Sequence, residues 1–118
     1  MEKNPVLIKS YSLALDISKH IFALQKSKKE FVLTKQLLKS ITSISANLYE
    51  AQGAYSRKDF LQKVSIAYKE ALESSYWLKL LNDMQFINKK QYVDFEKRCN
   101  EILKMLNKIK TTTRKNLK

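Results

Sequence analysis

The chain contains very little glycine and proline, with one residue of each among 118. Folds rich in β-strand need turn residues at short intervals, so this scarcity favours a few long helices. The single cysteine excludes an internal disulfide and is consistent with a reducing compartment. No apolar run approaches the roughly 20 residues of a membrane-spanning helix, and the N-terminus lacks the apolar core of a signal peptide. These absences predict a helical, cytoplasmic protein with no membrane partner.

Positive charge dominates what the chain does contain. Lysine and arginine total 23 against 11 aspartate and glutamate residues, which gives a net charge of +12 at pH 7. That excess is larger than the roughly 2–8 charges that keep a small domain soluble, and it favours a polyanionic partner such as RNA or DNA. The alternative is a charged, solvated surface with no partner.

Residues typical of helix N-termini divide the chain into four amphipathic segments. Asn4 is a good N-cap residue, and Pro5 fits the first helical position, where a missing N–H costs nothing. Ser27 and Glu30 have the spacing of a capping box, which predicts that the second helix begins there. Gly53 then fits the residue after the second helix, where a left-handed backbone favours glycine.

The third and fourth segments begin with similar signals. Residues 56–59, Ser-Arg-Lys-Asp, form a second capping box, and Tyr55 with Phe60 has the spacing of a hydrophobic staple. Residues 88–91 open the fourth segment with an asparagine cap, and its apolar residues alternate steps of three and four. The stretch 111–118 loses this period and is predicted to fray into a basic tail.

Segments of about 22–28 residues with short connections must pack against their sequence neighbours in antiparallel order. The sequence therefore predicts an all-α, up-down-up-down four-helix bundle over residues 1–110. Three helices followed by a tail is the main alternative.

Apolar residues cover more than one side of the first and third segments. The predicted core stripe of the first segment is Leu7, Ile8, Tyr11, Ala14, Leu15, Ile21 and Phe22, and the residues off that stripe are Leu13, Ile17 and Leu24. On the third segment, Leu61, Tyr68, Leu72, Trp77 and Leu80 lie outside the main stripe. A helix with apolar residues on two sides is central or contacts another subunit, which favours a homo-oligomer over a monomer with a large core.

The positive charge is concentrated at the two ends of the chain. Residues 1–29 carry +4 and residues 88–118 carry +7, whereas residues 30–55 carry 0 and residues 56–87 carry +1. Antiparallel order can place the first and last helices side by side, and the candidate nucleic-acid-binding face is Lys19, Lys26, Lys28, Lys29, Lys97, Arg98, Lys104, Lys108 and Lys110, with Arg114 and Lys115 in the tail. Lysines outnumber arginines 20 to 3, which favours contacts to the nucleic-acid backbone over base readout. A solvated face without a ligand is the alternative.

The residue types that carry most catalysis are rare. His20 follows Asp16 by one helical turn, with no nucleophile or second histidine beside it, and is best explained as a surface residue paired with that carboxylate. Cys99 falls on the apolar seam of the fourth segment and is expected to be a buried small hydrophobe. No metal-binding, phosphate-loop or nucleophile-elbow motif is present. We therefore expect no enzymatic activity and no cofactor.

One polar set stands beside an apolar stripe at the end of the second segment. Ser43, Asn47 and Glu50 share one helix face because they are separated by four and three residues. Such groups need hydrogen bonds if they are buried, so they either fix the packing of helices or subunits or form a polar site. The structural role is favoured.

The stretch SISANLYEAQGAYSRKDFLQKVSIAYKEALESSYWLKLL, residues 43–81, resembles a family of bacterial four-helix bundle proteins. Its members were first described as encoded by intervening sequences in large-subunit ribosomal RNA genes. The family also includes the accessory variability determinant of diversity-generating retroelements. The residues that carry the resemblance are Ser43, Ile44, Ala46, Asn47, Glu50, Gly53, Ser56, Phe60, Ser65, Ile66, Ala67, Glu73, Trp77 and Leu78.

The resemblance implies ring-shaped homopentamers with a basic surface and no enzymatic activity. It also implies, for the retroelement members, binding to nucleic acid and a reverse transcriptase. Asn47, Glu50 and Gly53 are expected to fix the corner between the second and third helices, and Ser43, Phe60 and Trp77 to contribute to packing or subunit contacts. The expected function is oligomeric binding of structured RNA or a ribonucleoprotein. The alternative is a homo-oligomeric scaffold that docks an acidic partner such as a reverse transcriptase.

Overall fold

Four helices account for nearly all of residues 3–117, which are the residues that the computed structural model describes. They are α1 (Pro5–Lys28), α2 (Val32–Ala51), α3 (Arg57–Asp83) and α4 (Lys89–Leu117). Consecutive helices are antiparallel, α1 and α3 each pack against α2 and α4, and α1 and α3 therefore occupy one diagonal of the bundle. The predicted up-down-up-down four-helix bundle is confirmed, and the three-helix alternative is wrong.

Aliphatic side chains fill the centre of the bundle along its whole length. The heptad seam of α4 is buried as predicted, and Cys99 lies within it. Its Sγ donates to the carbonyl of Ala71 at 3.4 Å, and burial raises the pKa of the Cys99 thiol to about 12. The largest fully buried side chains are Leu7, Leu13, Ile17, Ile21, Leu37, Ile41, Ile44, Val64, Leu78, Leu81, Ile102 and Leu106.

The side of α1 that faces the core is rotated from the one that the sequence predicts. Leu7, Ala14 and Ile21 of the predicted stripe are buried, but the other four are not. Leu13, Ile17 and Leu24, which the sequence placed off the stripe, are buried. Ile8, Tyr11, Leu15 and Phe22, which the sequence placed in the core, are between 40% and 57% exposed. Because both sides of α1 are apolar at helical spacing, the sequence period does not determine which side faces α2, α3 and α4.

The connection between α1 and α2 begins later than the sequence predicts. Helix α1 continues through Lys28, and Ser27 remains helical with its hydroxyl donating to the carbonyl of Leu24 at 3.4 Å. Lys29 then takes the left-handed conformation at φ 57° and ends the helix. The predicted capping box at Ser27 is therefore wrong.

Glu30 caps α2 alone. Its two carboxylate oxygens accept hydrogen bonds from the amides of Val32, Leu33 and Thr34 at 2.9–3.0 Å. Partial burial acts to raise the pKa of Glu30, but these hydrogen bonds together lower it below its ordinary value. The hydroxyl of Thr34 donates to the Glu30 carbonyl at 2.8 Å and accepts from Gln25, which ties the end of α1 to the start of α2.

The other three helix starts are capped by the predicted residues. Asn4, Ser56 and Asn88 each accept a hydrogen bond from the amide three residues later, at 2.8–3.2 Å. The carboxylate of Asp59 reaches back to the amide of Tyr55 at 3.1 Å. The predicted staple is wrong, because the Tyr55 side chain is fully exposed and does not cover Phe60.

Gly53 does not take the left-handed conformation that the sequence predicts. The residues with positive φ in the described chain are Lys29 and Gln85. Gln85 follows the end of α3. Its backbone amide donates to the carbonyl of Asn82, and the amide of Phe86 donates to the carbonyl of Leu81, which is the Schellman pattern. Gly53 lies in an exposed turn in which its amide donates to the carbonyl of Glu50 at 3.0 Å. The glycine is therefore not required by backbone strain.

The C-terminal stretch is helical where the sequence predicts fraying. Helix α4 continues to Leu117, and the hydroxyls of Thr111 and Thr113 donate to the carbonyls one turn earlier at 2.7–2.9 Å. Arg57 donates to the carbonyl of Asn116 at 3.1 Å and links this end of α4 to the start of α3. Within residues 3–117, no helix is both long and apolar enough to cross a bilayer.

Candidate nucleic-acid interface

The two most basic parts of the chain lie side by side, because α1 packs along α4 in antiparallel orientation. Two ion pairs mark the seam between them: Lys9 with Glu101 at 2.9 Å, and Arg98 with Asp16 at 2.9 Å. Arg98 also lies 3.6 Å from Asp94. Charge at the seam is therefore largely neutralised, and Arg98 is engaged within the protein. The hydrogen bond from Lys9 holds the pKa of Glu101 below its ordinary value.

Five exposed lysines form a straight row on the outer side of α4. At 100° per residue, the steps of seven, seven, four and seven keep its members within about 20° of one line, opposite the buried seam. All members are exposed, and none forms an ion pair with residues 3–117. The row extends over about 37 Å. We call it the α4 lysine row: Lys90, Lys97, Lys104, Lys108 and Lys115.

Three of the sequence-predicted residues of α4 lie away from this row. Lys110 faces α3, where its ammonium group lies 4.3 Å from the centre of the Tyr68 ring. Burial, together with the nearby charges of Arg114 and Lys69, lowers the pKa of Lys110. Arg114 follows one turn later on the same side, and Arg98 faces α1 as described above. The sequence prediction omitted Lys90, although its spacing of seven residues from Lys97 places it on the same side of the helix.

The predicted lysines of α1 lie near the start of the row. Lys19 and Lys26 are exposed on the outer side of α1, and Lys28 and Lys29 end the helix. Lys28 lines the same cleft as Asn88, the cap of α4. These four side chains are therefore at the end of the bundle where the α4 lysine row begins.

His20 does not form the predicted salt bridge. Asp16 pairs with Arg98, and the imidazole of His20 packs edge-on against Phe95 with ring centres 5.6 Å apart. Burial lowers the pKa of His20. The ring thus covers the edge of the core between α1 and α4.

The polar set at the end of α2 is bonded within the chain. The side-chain Nδ2 of Asn47 donates to the carbonyl and the hydroxyl of Ser43 at 2.8 and 3.0 Å, one turn earlier on the same helix. Glu50 pairs with Lys63 of α3 at 2.9 Å, and this bond raises the pKa of Lys63. Asn47 therefore stabilises its own helix, and only Glu50 of this set bonds across the α2–α3 corner.

A buried hydrogen bond between α2 and α3 was missed by sequence reasoning. Ser74 donates to Ser40 at 2.8 Å, and both residues are fully buried. Their signal is their position, since each is a polar residue at helical spacing within a mostly apolar core stripe. This pair fixes the register of the two helices, the role that the sequence assigned to Asn47.

Phe60 and Trp77 are both half-buried and pack against the core. The indole N–H of Trp77 donates to Glu73 at 3.0 Å, and its ring lies edge-on to Tyr76. Contacts of Phe60 or Trp77 with another subunit remain a prediction.

An open apolar groove of about 520 Å³ runs between α1 and α2. Its exposed large apolar side chains are Tyr11, Leu15 and Tyr49. Small residues, Ser18 and Ala46 among them, form its floor and sides. The groove results from the orientation of α1 described above, which turns its second apolar side outward.

The fold and these surfaces can be compared with known proteins. The family model described as 23S rRNA-intervening sequence protein matches residues 2–108. This chain belongs to that family. This match confirms the resemblance to the 23S rRNA-intervening sequence proteins that residues 43–81 indicated. The matched range includes every residue of the α4 lysine row except Lys115.

A solved structure supports this assignment of the 23S rRNA-intervening sequence protein fold. It is a crystal structure of a protein with unknown function from the S23 ribosomal protein family of Bacteroides thetaiotaomicron. The two chains are 44% identical and superpose with a TM-score of 0.87, and the match covers 89% of this chain and 97% of that chain. No curated relative matches the chain.

Proposed function

We propose that this protein is a non-catalytic, cytoplasmic protein whose basic surface binds structured RNA or a ribonucleoprotein. The observation that carries the proposal is the α4 lysine row, a line of exposed ammonium groups without carboxylate partners in residues 3–117. Phosphate contacts from lysine supply affinity without reading sequence. The scarcity of arginine fits such backbone recognition.

A salt titration tests this proposal. We expect a fluorescently labelled structured RNA to bind. The logarithm of its affinity should fall linearly with the logarithm of the salt concentration, with a slope of several units, since each neutralised phosphate of a duplex contributes about 0.9 to the slope. The measurement is fluorescence anisotropy at several salt concentrations. Absence of binding at about 50 mM salt would overturn the proposal.

A second candidate function is a self-assembling scaffold, and it rests on two apolar seams on outer sides of the bundle. On α1, Ile8, Tyr11, Leu15, Ser18 and Phe22 follow steps of three and four. On α3, the same steps connect Ile66, Glu70, Glu73, Trp77, Leu80 and Met84. Such spacing suits the packing of one helix against another. Exposed apolar surface marks interaction sites. It is continuous on α1, whereas on α3 Ile66 and Met84 are exposed, Trp77 and Leu80 are half-buried, and two glutamates lie between them.

The two seams are complementary in charge. Lys19 and Lys26 follow Leu15 and Phe22 by one turn each, so the α1 seam is flanked by positive charge. The α3 seam contains Glu70 and Glu73. Partial burial raises the pKa of Glu70, and repulsion from the nearby charge of Glu73 raises it further. A second copy could therefore place its α3 seam on the α1 seam, pairing these charges.

The two seams both border α2, because Tyr11 and Leu15 line a groove with Tyr49 and Glu70 of the α3 seam lies near Lys39. Each copy would therefore present the two seams on adjacent sides of the bundle. Head-to-tail contacts of this type close into rings when the rotation between copies permits it. The ring of five implied by the family resemblance is one such closure. In that scaffold the α4 lysine row would remain free to dock nucleic acid or an acidic partner such as a reverse transcriptase.

Light scattering after size-exclusion chromatography tests the scaffold. We expect a mass that is a multiple of 13.9 kDa and a shift to monomer in Leu15→Lys, which places a charge in the α1 seam. Val93→Lys is the matched control, because Val93 is equally exposed but lies on the outer side of α4. A monomeric wild-type protein, or an unchanged mass in Leu15→Lys, would overturn this second candidate.

A further inference from the structure

The outer side of α4 carries charge but no group that could stack on a base. The two aromatic residues of α4 are Tyr92 and Phe95. Phe95 is buried, and the half-buried Tyr92 donates its hydroxyl to Glu96. The exposed aromatic side chains lie elsewhere, among them Tyr55 in the turn between α2 and α3, and Tyr11, Tyr49 and Tyr76 on the other three helices.

Single strands are bound by a different kind of surface. Proteins that hold unpaired RNA or DNA combine a basic groove, which follows the backbone, with aromatic side chains on which successive bases stack. The α4 lysine row lies on the ridge of a helix, opposite the core, and is therefore convex. It provides neither the groove nor the stacking side chains.

Two of the three carboxylates of α4 are paired with cations. Asp94 lies beside Arg98, and Glu101 pairs with Lys9. Glu96 accepts from Tyr92 and keeps its charge, because the hydroxyl of Tyr92 is neutral, but it lies about 100° around the helix from the row. Phosphates that approach the row therefore meet ammonium groups without a neighbouring unpaired carboxylate on the same side of the helix.

From these observations we infer that the α4 lysine row binds the backbone of double-helical nucleic acid in preference to single strands; this rests on the proposed nucleic-acid function and narrows it. The row is straight and about 37 Å long, close to the roughly 34–36 Å of one turn of a B-form duplex. A stiff duplex presents phosphates to a rigid ridge without giving up the conformational freedom that a flexible strand would have to give up.

Three labelled probes test the inference by anisotropy at about 100 mM salt: a 20-bp RNA duplex, a 20-bp DNA duplex and a 20-nucleotide oligouridine. We expect at least one duplex to bind about tenfold or more tightly than oligouridine. The two duplex arms show whether the RNA or the DNA form is the ligand.

Two charge-matched triple variants locate the binding surface. Lys97→Gln, Lys104→Gln and Lys108→Gln together should reduce the duplex salt slope by about 2–3 units, at roughly 0.9 for each phosphate that is no longer neutralised. The control removes the same charge from α2 and α3 with Lys35→Gln, Lys39→Gln and Lys69→Gln, and should leave the slope almost unchanged. Circular dichroism verifies that both variants keep the helical fold.

The outcomes separate this inference from the function on which it rests. Equal affinity for oligouridine and the duplexes would overturn the preference for double helices and leave nucleic-acid binding standing. The same reduction of slope in both triple variants would overturn the assignment to α4. No binding of any probe would overturn the inference together with the proposed function.

Discussion

The starts of α3 and α4 and the buried side of α4 follow the sequence prediction, whereas the buried side of α1 and the start of α2 depart from it. In the α3–α4 hairpin, both helices begin at the predicted caps, and the heptad seam of α4 is buried. In the α1–α2 hairpin, the buried side of α1 is rotated from the predicted one, and Glu30 replaces Ser27 as the cap of α2. The difference shows which features of a helical chain are determined locally.

Helix α4 has one apolar side, so its orientation in the bundle follows from its own sequence. Helix α1 has two, and only the fit of its side chains against α2 and α4 decides between them. The sharpest test of this contrast compares two leucines two residues apart. Leu13 is fully buried, while Leu15 is 46% exposed.

We expect Leu13→Ala to reduce the free energy of unfolding by about 2–5 kcal/mol, because it leaves a cavity in the core. Leu15→Ala should change it by about 0.5 kcal/mol or less in the monomer, since it removes little buried surface. Urea denaturation of both variants measures the difference. Equal losses would show that α1 does not have the orientation described here.

These differences have a physical basis that bears on the candidate site as well. Caps such as Ser56 and Asn88 act within four residues, so sequence spacing predicts them. The placement of Lys110 on Tyr68 and of Arg98 on Asp16 depends on how neighbouring helices pack, and sequence spacing could not predict it. The α4 lysine row depends only on the helical repeat, and Lys90 could have been included on that basis.

The cap of α2 gives the next largest expected effect. Glu30→Gln should lower the free energy of unfolding by about 1 kcal/mol at pH 7, because the amide side chain is a weaker acceptor for the exposed N–H groups of α2. The folded-state pKa of Glu30 lies below its ordinary value of 4.5. Its contribution is therefore complete above that value and is lost as the pH falls through the folded-state pKa.

The difference between wild type and Glu30→Gln should accordingly shrink below about pH 4.5. Asn88→Ala is the control from the other hairpin, with a similar cost of about 1 kcal/mol that does not change with pH, because an amide cap does not titrate. Denaturant titrations at pH 7 and pH 3 measure both. A Glu30→Gln deficit that persists undiminished at pH 3 would contradict the capping role of the carboxylate.

A gain in stability is expected at the junction of the two hairpins, in the turn that contains Gly53. A Cβ atom at this position would meet only the carbonyl oxygen of Glu50, at 3.7 Å, which is an ordinary van der Waals distance. Gly53→Ala should therefore stabilise the protein by about 0.4–1 kcal/mol, because alanine restricts the unfolded chain and the folded backbone accommodates it. A rise in melting temperature measures the gain. A loss of stability or of oligomer mass would mean instead that Gly53 is needed for close approach of another subunit, since neither its backbone conformation nor its surroundings within the chain require glycine.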